Sequence, residues 1–291
     1  MRVRTPMRLA GLAALLASAL TTMTATPSQA AAPAQTAQTQ TSAAGARVVV
    51  EDVQVPVPGQ APLPAYLVRP AGQVAPGSQA GILFLHWLGQ IHSDRTEFLP
   101  EAVQLAAEGA VSLLPEGTFP YVTSPVGNGR DVAAVKHQLA AFRAALNWLT
   151  ARPQVSQTRI AVVGHDYGAM YGALLANADH RVHTAVLMTP DANWGHWFVK
   201  YWLLFHGDRA ARYDALFSSI QPVDHVSRLG GHELFQWAGQ DIYLGATVRR
   251  EFAAAAPQAQ VDYYPTADHQ LDDTALAARD QFLASELGLS S

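Results

Sequence analysis

Three polar residues stand where apolar, strand-like segments of this sequence end. Asp166 follows "RIAVVGH" (159–165), Asp241 follows "HELFQWAGQ" (232–240) and His269 follows "QVDYYPTAD" (260–268). These are residue types of covalent and acid–base catalysis, because a carboxylate can attack carbon and an imidazole can activate water. A second carboxylate can orient the imidazole. Their placement at strand ends predicts that they meet in one catalytic site.

The segments around these residues alternate between strand-like and helical patterns. "RVVVEDVQVPV" and "PAYLVRP" predict an N-terminal hairpin, and "GILFLHW" and "AVSLLPE" are apolar throughout, as in strands buried on both faces. The clearest helix is 131–149, whose apolar residues recur at three- and four-residue steps. Strands alternating with helices predict an α/β fold with a mostly parallel, doubly wound sheet. Sites in such folds collect at the carboxyl ends of the strands.

Asp166 occupies the centre of "VVGHDYGAM" (162–170), in which an apolar strand enters Gly-x-x-x-Gly and a helix of small residues follows. This segment resembles the nucleophile elbow of the α/β-hydrolase superfamily, and the resemblance covers about 47–288. The segment 140–172 is similar to the dienelactone hydrolase and prolyl-oligopeptidase-like branch, which carries Ser or Cys at the position of Asp166. "GHDYG" instead resembles haloalkane dehalogenases and epoxide hydrolases. The resemblance implies Asp166 as nucleophile, Asp241 as orienting acid and His269 as base.

A carboxylate nucleophile is suited to a saturated carbon that bears a leaving group, such as an epoxide or a carbon–halogen bond. The product is an ester of Asp166, and water activated by His269 then attacks the ester carbon. We expect the backbone N–H groups of Tyr167 and Trp87 to form the oxyanion hole. Attack on an acyl carbon would instead give a strained anhydride. In a variant of this scheme, Asp166 and His269 activate water directly.

Residues 190–230, here called the aromatic insertion, are rich in Trp and Tyr and lie where many relatives insert a cap. A cap would exclude water and shape an apolar pocket for small, mostly apolar substrates. For such a pocket, Tyr201 and Tyr213 are candidate hydrogen-bond donors to an epoxide oxygen. Trp87, from the loop after the first buried strand, and Trp194 are candidate donors to a leaving halide. The candidate substrate-binding residues are His86, Trp194, Trp197, Tyr201 and Tyr213. The alternative is that these aromatic residues simply pack the core.

The N-terminal residues are expected to lie outside the folded domain. Residues 1–30 combine a basic start, a short apolar stretch and "SQA", which predicts a secretory signal peptide, with an uncleaved membrane anchor as the alternative. Residues 31–46 are Ala-, Gln- and Thr-rich and predict a disordered linker. The catalytic domain is then 47–288, and the protein is secreted.

Composition narrows the class of partner. Without Arg2, Arg4 and Arg8 the chain has 16 Lys and Arg against 23 Asp and Glu, a net charge of −7 that disfavours nucleic acid and anionic membranes. There is no Cys and no His-Glu-x-x-His motif, so we expect no disulfide, no catalytic metal and no cofactor. The expected partner is a small-molecule substrate, and the oligomeric state stays open.

Several alternatives remain open at this level. Asp166 is also explained by a favourable charge at a helix N-terminus. Asp214 and Asp224 are alternative acids, and His269 is otherwise a surface histidine. For the whole protein, the alternatives to the hydrolase are a catalytically inactive binding protein of the same fold and a dienelactone hydrolase-like esterase that acts through activated water. No Gly-x-Ser-x-Gly motif occurs that would supply a serine nucleophile.

Overall fold

A computed structural model of the protein describes residues 37–42, 45–88 and 94–290. The predicted signal peptide (1–30) lies outside these residues. Within them, no helix combines the length and the apolar character needed to cross a membrane.

Nine strands form a single sheet in the order β1-β2-β3-β5-β4-β6-β7-β8-β9. The strands are β1 (Ala37–Thr41), β2 (Arg47–Val55), β3 (Leu63–Pro70), β4 (Gln79–Leu85), β5 (Ala110–Pro115), β6 (Val155–His165), β7 (Thr184–Met188), β8 (Glu233–Ala238) and β9 (Gln260–Tyr264). The first three strands and β5 pair antiparallel, whereas β5, β4, β6, β7, β8 and β9 run parallel to one another. The carboxyl ends of these six strands therefore lie along one edge of the sheet.

Helices cover both faces of the sheet. They are α1 (Leu99–Ala107), α2 (Gly129–Thr150), α3 (Tyr167–Ala178), α4 (Trp194–Phe198), α5 (Gly207–Asp214), α6 (Ala246–Ala255) and α7 (Asp273–Leu287). The core divides accordingly: α2, α3 and α6 pack with Leu83 and Leu85 of β4, and α1 and α7 pack with Ile82 and Phe84 of the same strand. A strand buried on both faces needs an unbroken apolar run, and β4 supplies one.

The predicted α/β architecture is confirmed, including the N-terminal hairpin, the mostly parallel sheet and helices on both faces. The interval between Asp166 and Asp241 holds α3, β7 and the aromatic insertion, and the interval between Asp241 and His269 holds α6 and β9. One expectation is wrong in part: residues 37–41, inside the predicted disordered linker, form β1 and pair antiparallel with β2. All five side chains of β1 are exposed, so its pairing depends on backbone hydrogen bonds and leaves no apolar pattern in the sequence.

The aromatic insertion consists of short helical segments. α4 continues into a π-helical turn (Val199–Leu203), which Leu204 ends in a left-handed conformation with φ of 51°. α5 and three 3-10 turns follow it. The insertion contacts α2 through a hydrogen bond of 2.5 Å, which the Tyr213 hydroxyl donates to the Asp131 carboxylate.

Candidate active site

Asp166 lies at a sharp turn between β6 and α3 and has a backbone conformation that L-residues avoid. Its φ is 54° and its ψ is −117°. The turn is possible only because two glycines flank it. A Cβ on Gly164 would lie 2.4 Å from the Gly168 carbonyl oxygen, and one on Gly168 would lie 1.9 Å from the Leu85 carbonyl oxygen. The strain lifts the Asp166 side chain out of the sheet edge, as expected of a nucleophile elbow.

The two oxygens of the Asp166 carboxylate have different surroundings. Oδ2 accepts the backbone N–H of Leu88 at 3.3 Å, whereas Oδ1 has no hydrogen-bond partner among the described residues. The side chain is almost fully buried, and this burial raises its pKa to about 7. The charge of His269 and the backbone N–H groups of Leu88 and Tyr167 act in the opposite direction and lower this pKa, because they favour the ionised form. Asp166 is therefore a desolvated carboxylate with one oxygen held by the backbone and the other uncommitted.

His269 and Asp241 form a direct hydrogen bond of 2.8 Å between Nδ1 and Oδ2. The other Asp241 oxygen accepts the N–H groups of Tyr243 at 2.8 Å and Leu244 at 3.0 Å. Burial alone would raise the pKa of Asp241, but the hydrogen bond and charge of His269 and these N–H groups hold it below its usual value. An ionised Asp241 accepts the proton on Nδ1, so Nε2 of His269 is left as the basic nitrogen.

Nε2 of His269 faces the uncommitted oxygen of Asp166. The distance from Nε2 to Oδ1 is 3.9 Å, which is longer than a hydrogen bond. The structure thus brings the three predicted catalytic residues together in the order Asp166, His269, Asp241. The alternative acids Asp214 and Asp224 lie in the aromatic insertion, and it is Asp241 that contacts the histidine.

The oxyanion donors differ by one residue from the prediction. The N–H of Trp87 donates to Glu97 Oε2 at 2.6 Å, so it is not directed at Asp166. The next N–H, that of Leu88, donates to Asp166 Oδ2 instead, and the backbone N–H of Tyr167 acts with it to lower the pKa of the carboxyl. The candidate oxyanion hole therefore consists of the backbone N–H groups of Leu88 and Tyr167. The prediction that the Trp87 N–H belongs to it is wrong, because that N–H donates to Glu97.

Glu97 was missed by the sequence analysis, although together with His165, which packs behind the elbow, it connects the loops of the site. Glu97 accepts the Trp87 N–H and contacts His165 Nδ1 at 2.7 Å. His165 Nε2 lies 2.9 Å from the carbonyl oxygen of His269. A carbonyl only accepts, so Nε2 of His165 donates to the His269 carbonyl. The pair ties the loop after β4 to the elbow and to the histidine loop. The only available signal was a histidine next to Asp166.

A cavity of about 610 Å³ opens onto the triad. Two predicted pocket residues, Trp197 and Tyr201, line it together with the Trp87 side chain. The full lining is Trp87, Leu88, Asp166, Tyr167, Trp197, Tyr201, Trp202, Tyr243, His269 and Gln270. The cavity is thus mostly aromatic and has two titratable catalytic groups at its base.

Three predicted substrate-binding residues do not line this cavity. His86 is buried behind the loop, where it accepts the Gly117 N–H at 2.8 Å on Nε2 and therefore donates from Nδ1 to the Trp87 carbonyl. Burial lowers the pKa of His86, which favours this neutral form. Trp194 is fully buried with its indole N–H on the Ile220 carbonyl. Tyr213 is bound to Asp131. These residues stabilise the walls of the site and do not face it.

No group of three or more potential metal ligands occurs among residues 37–42, 45–88 and 94–290. The carboxylates that follow the His269 loop have local structural roles. Asp268 accepts the Gln270 N–H, and Asp272 caps α7 by accepting the Ala275 N–H.

Known proteins that are similar to this chain have the same fold. A model of the alpha/beta hydrolase fold family matches residues 75–221, half of the chain. No curated protein matches the sequence. Among solved structures, an acetyl xylan esterase from Paenibacillus sp. R4 superposes with a TM-score of 0.67 at 18% identity, over 87% of this chain and 90% of that one.

Two further solved structures have the same architecture. A protein assigned as a dienelactone hydrolase, from Klebsiella pneumoniae, has a TM-score of 0.60 and 18% identity over 83% of this chain and 98% of its own. A thermophilic esterase of Thermogutta terrifontis, solved with butyrate, has a TM-score of 0.61 and 17% identity over 82% and 95%. At these identities the likeness concerns the fold alone.

Proposed function

Because the chain belongs to the α/β-hydrolase fold family, we propose that it hydrolyses small, mostly apolar substrates through an Asp166–His269–Asp241 triad. Asp166 attacks an electrophilic saturated carbon of the epoxide or carbon–halogen type. The observation that carries this proposal is the asymmetry of the Asp166 carboxylate. Its Oδ2 is held by backbone N–H, and its Oδ1 is buried and uncommitted.

This asymmetry matches the two steps of the reaction. In the first step, Oδ1 attacks carbon, the leaving group departs with the bonding electrons, and an ester of Asp166 forms. In the second step, His269 Nε2 removes a proton from water, which attacks the ester carbon. The charge that develops on Oδ2 then faces the N–H groups of Leu88 and Tyr167. Donors so placed stabilise the second transition state by about 3 kcal/mol each.

Desolvation of Asp166 supports the same reaction. A buried carboxylate has lost the water that normally weakens its nucleophilicity, which is also why its pKa rises to about 7. Asp241 remains ionised and hydrogen-bonded, so it can stabilise the imidazolium that forms on His269.

The experiment uses the residue that acts only in the second step. His269→Gln should still form the ester and fail to hydrolyse it, so treatment with styrene oxide should raise the intact mass by one whole epoxide, mapped to Asp166. His232→Gln is the matched control, because that histidine is exposed and pairs with Glu286 outside the site. Absence of the adduct in His269→Gln contradicts the covalent scheme.

A second candidate is an esterase in which Asp166 and His269 activate water without a covalent intermediate. The gap of 3.9 Å between His269 Nε2 and Asp166 Oδ1 supports this reading, because it is too long for a direct hydrogen bond and short enough for one water to bond to both atoms from the side of the cavity. Esterase names among the structural neighbours also favour it. Hydrolysis of aryl esters without any Asp166 adduct supports this reaction, and no turnover of epoxides, haloalkanes or esters supports the inactive binding protein.

We further propose that the protein is secreted. It depends on residues 1–30, which combine three arginines with an apolar stretch and small residues before Ala30. N-terminal sequencing of the protein recovered from culture medium tests it, and an N-terminus at Met1 contradicts it.

A further inference from the structure

Most polar side-chain groups near the cavity are already committed to protein partners. The Tyr201 hydroxyl donates to the Tyr243 carbonyl at 2.8 Å, and the Tyr121 hydroxyl donates to the His86 carbonyl at 2.8 Å. Tyr213 and Trp194 donate to Asp131 and Ile220. The donors expected from the sequence for an epoxide oxygen, Tyr201 and Tyr213, are thus both occupied.

The Tyr167 hydroxyl is in the opposite situation. Its oxygen accepts the indole N–H of Trp202 at 3.0 Å, and the Trp197 ring lies edge-on to the Tyr167 ring with 5.9 Å between the ring centroids. An indole nitrogen donates only, so the phenol oxygen is the acceptor from Trp202 and its own hydrogen takes no part in that contact. Among the described residues, no acceptor for this hydrogen is within hydrogen-bond distance. Tyr167 lines the same cavity as Asp166.

The surroundings of Tyr167 keep its phenol protonated until a strong base forms beside it. Burial raises the pKa of Tyr167 well above its usual value, while the hydrogen bonds from Trp202 and Trp197 act in the opposite direction. The resting phenol therefore stays protonated. An alkoxide is much more basic than a phenolate, so transfer to it is favourable, and the indole donors stabilise the resulting phenolate.

We propose that the Tyr167 side chain is the proton donor to the leaving oxygen, and that the substrates of this site are epoxides. This inference depends on the proposed function, because it supplies the acid for the step in which Asp166 attacks. It assigns to the Tyr167 side chain a role separate from that of its backbone N–H in the oxyanion hole.

The step balances in atoms and charge. Asp166 Oδ1 forms a bond to a ring carbon, the carbon–oxygen bond breaks, and the ring oxygen takes the proton of Tyr167, leaving an Asp166 ester and a phenolate. Water then adds to the ester carbon with loss of a proton to His269, and that proton goes to the departing alcohol oxygen. Asp166 is released as a carboxylic acid and returns its proton to the phenolate. The sum is epoxide plus water giving a diol.

The same geometry disfavours a halide as leaving group. A halide needs hydrogen-bond donors and no proton. The indole N–H groups of Trp202 and Trp194 are directed at the Tyr167 hydroxyl and the Ile220 carbonyl. A halide at this position would have to displace the phenol oxygen from its donors. An epoxide oxygen instead receives the hydrogen of the Tyr167 hydroxyl, which the contact with Trp202 leaves available.

The test isolates the first step in a His269→Gln background, where adduct formation on Asp166 measures only attack and leaving-group departure. Two probes of similar shape are compared, styrene oxide and 2-phenylethyl bromide. Adding Tyr167→Phe should slow adduct formation from styrene oxide by about 100-fold, the usual contribution of a general acid. It should leave the slow reaction with the bromide unchanged within a factor of about 3, because a bromide leaves without a proton.

The matched control is Tyr171→Phe, one turn along the same helix. It removes an equally buried hydroxyl, which donates to the Phe119 carbonyl at 2.9 Å outside the cavity. This variant should react with both probes at the parent rate. Trp202→Phe removes one of the indole donors and is expected to slow the epoxide reaction by about tenfold, as loss of one hydrogen bond to a developing charge does.

The outcomes separate this inference from the proposed function. A selective loss with the epoxide supports it. Equal slowing of both probes, or no slowing of either, overturns the role of Tyr167 while the adduct itself still supports the covalent scheme. No adduct with either probe in His269→Gln overturns the proposed function and this inference together.

Discussion

Asp166→Asn replaces one oxygen of a buried carboxylate by an amide nitrogen and nearly preserves the shape of the elbow. Burial raises the pKa of Asp166 from 3.8 to about 7. Between these values the unfolded chain is ionised and the folded chain is protonated, so the folded state binds more protons and the free energy of unfolding falls as pH rises. The shift of about 3 units corresponds to roughly 4 kcal/mol, at 1.36 kcal/mol per unit.

The Asn variant lacks this titration. The difference in free energy of unfolding, variant minus wild type, should therefore grow by roughly 4 kcal/mol between pH 4 and pH 8 and then level off. Urea denaturation at several pH values measures it, and any constant offset from the new amide cancels in the slope. Asp273→Asn, the same change at an exposed position in the first turn of α7, is the matched control. A pH-independent difference for Asp166→Asn would refute the argument that the carboxylate is held in a desolvated site.

Three further results are expected. The value of kcat/KM should rise about tenfold per pH unit up to about pH 7 and then level off, because Asp166 must be ionised to attack and its pKa is about 7; a profile flat from pH 5 to 8 contradicts this. Glu97→Ala should lower kcat by about 10- to 100-fold with little change in KM, because it breaks the contacts to Trp87 and His165, and Glu97→Gln should retain most of the wild-type kcat. An equal loss of kcat in both variants contradicts a positioning role. Tyr213→Phe should lower the free energy of unfolding by about 1–3 kcal/mol without changing KM for any substrate, because Tyr213 binds Asp131 and lies outside the cavity, and a change in KM places it in the substrate site.

The arrangement of the triad was predictable from the sequence because it follows from topology. Parallel strands bring their carboxyl ends to one edge, so residues that follow β6, β8 and β9 must approach one another. The Gly-x-x-x-Gly spacing around Asp166 likewise reports on a turn that tolerates no Cβ at either glycine. Both features depend only on the local chain and the order of the elements.

What was not predictable depends on the direction of single groups. The Trp87 peptide is held by Glu97 and His86, and this fixes which N–H of the loop reaches Asp166. No pattern in the sequence distinguishes Trp87 from Leu88 at that point. The polar ends of Trp194 and Tyr213 find partners that are distant along the chain, so their aromatic character predicted a buried wall but not which rings face the cavity.

The edge strand β1 illustrates a different limit. Its residues are Ala, Gln and Thr, all exposed, and the strand is specified by pairing with β2 rather than by burial of its own side chains. Hydrophobic periodicity reports on burial, so it cannot reveal an element that has none. The expectation of a linker there followed from composition alone.

The central claim is that an oxygen of Asp166 becomes bonded to the substrate carbon, and isotope labelling tests it most directly. Enzyme in excess over an epoxide substrate is allowed a single turnover in water enriched in heavy oxygen, and both the product and the Asp166 peptide are analysed by mass spectrometry. The covalent scheme predicts that the first product carries no label and that one heavy oxygen enters the Asp166 carboxylate. Label in the product, with none in Asp166, would show that water attacks the substrate directly and would contradict the scheme.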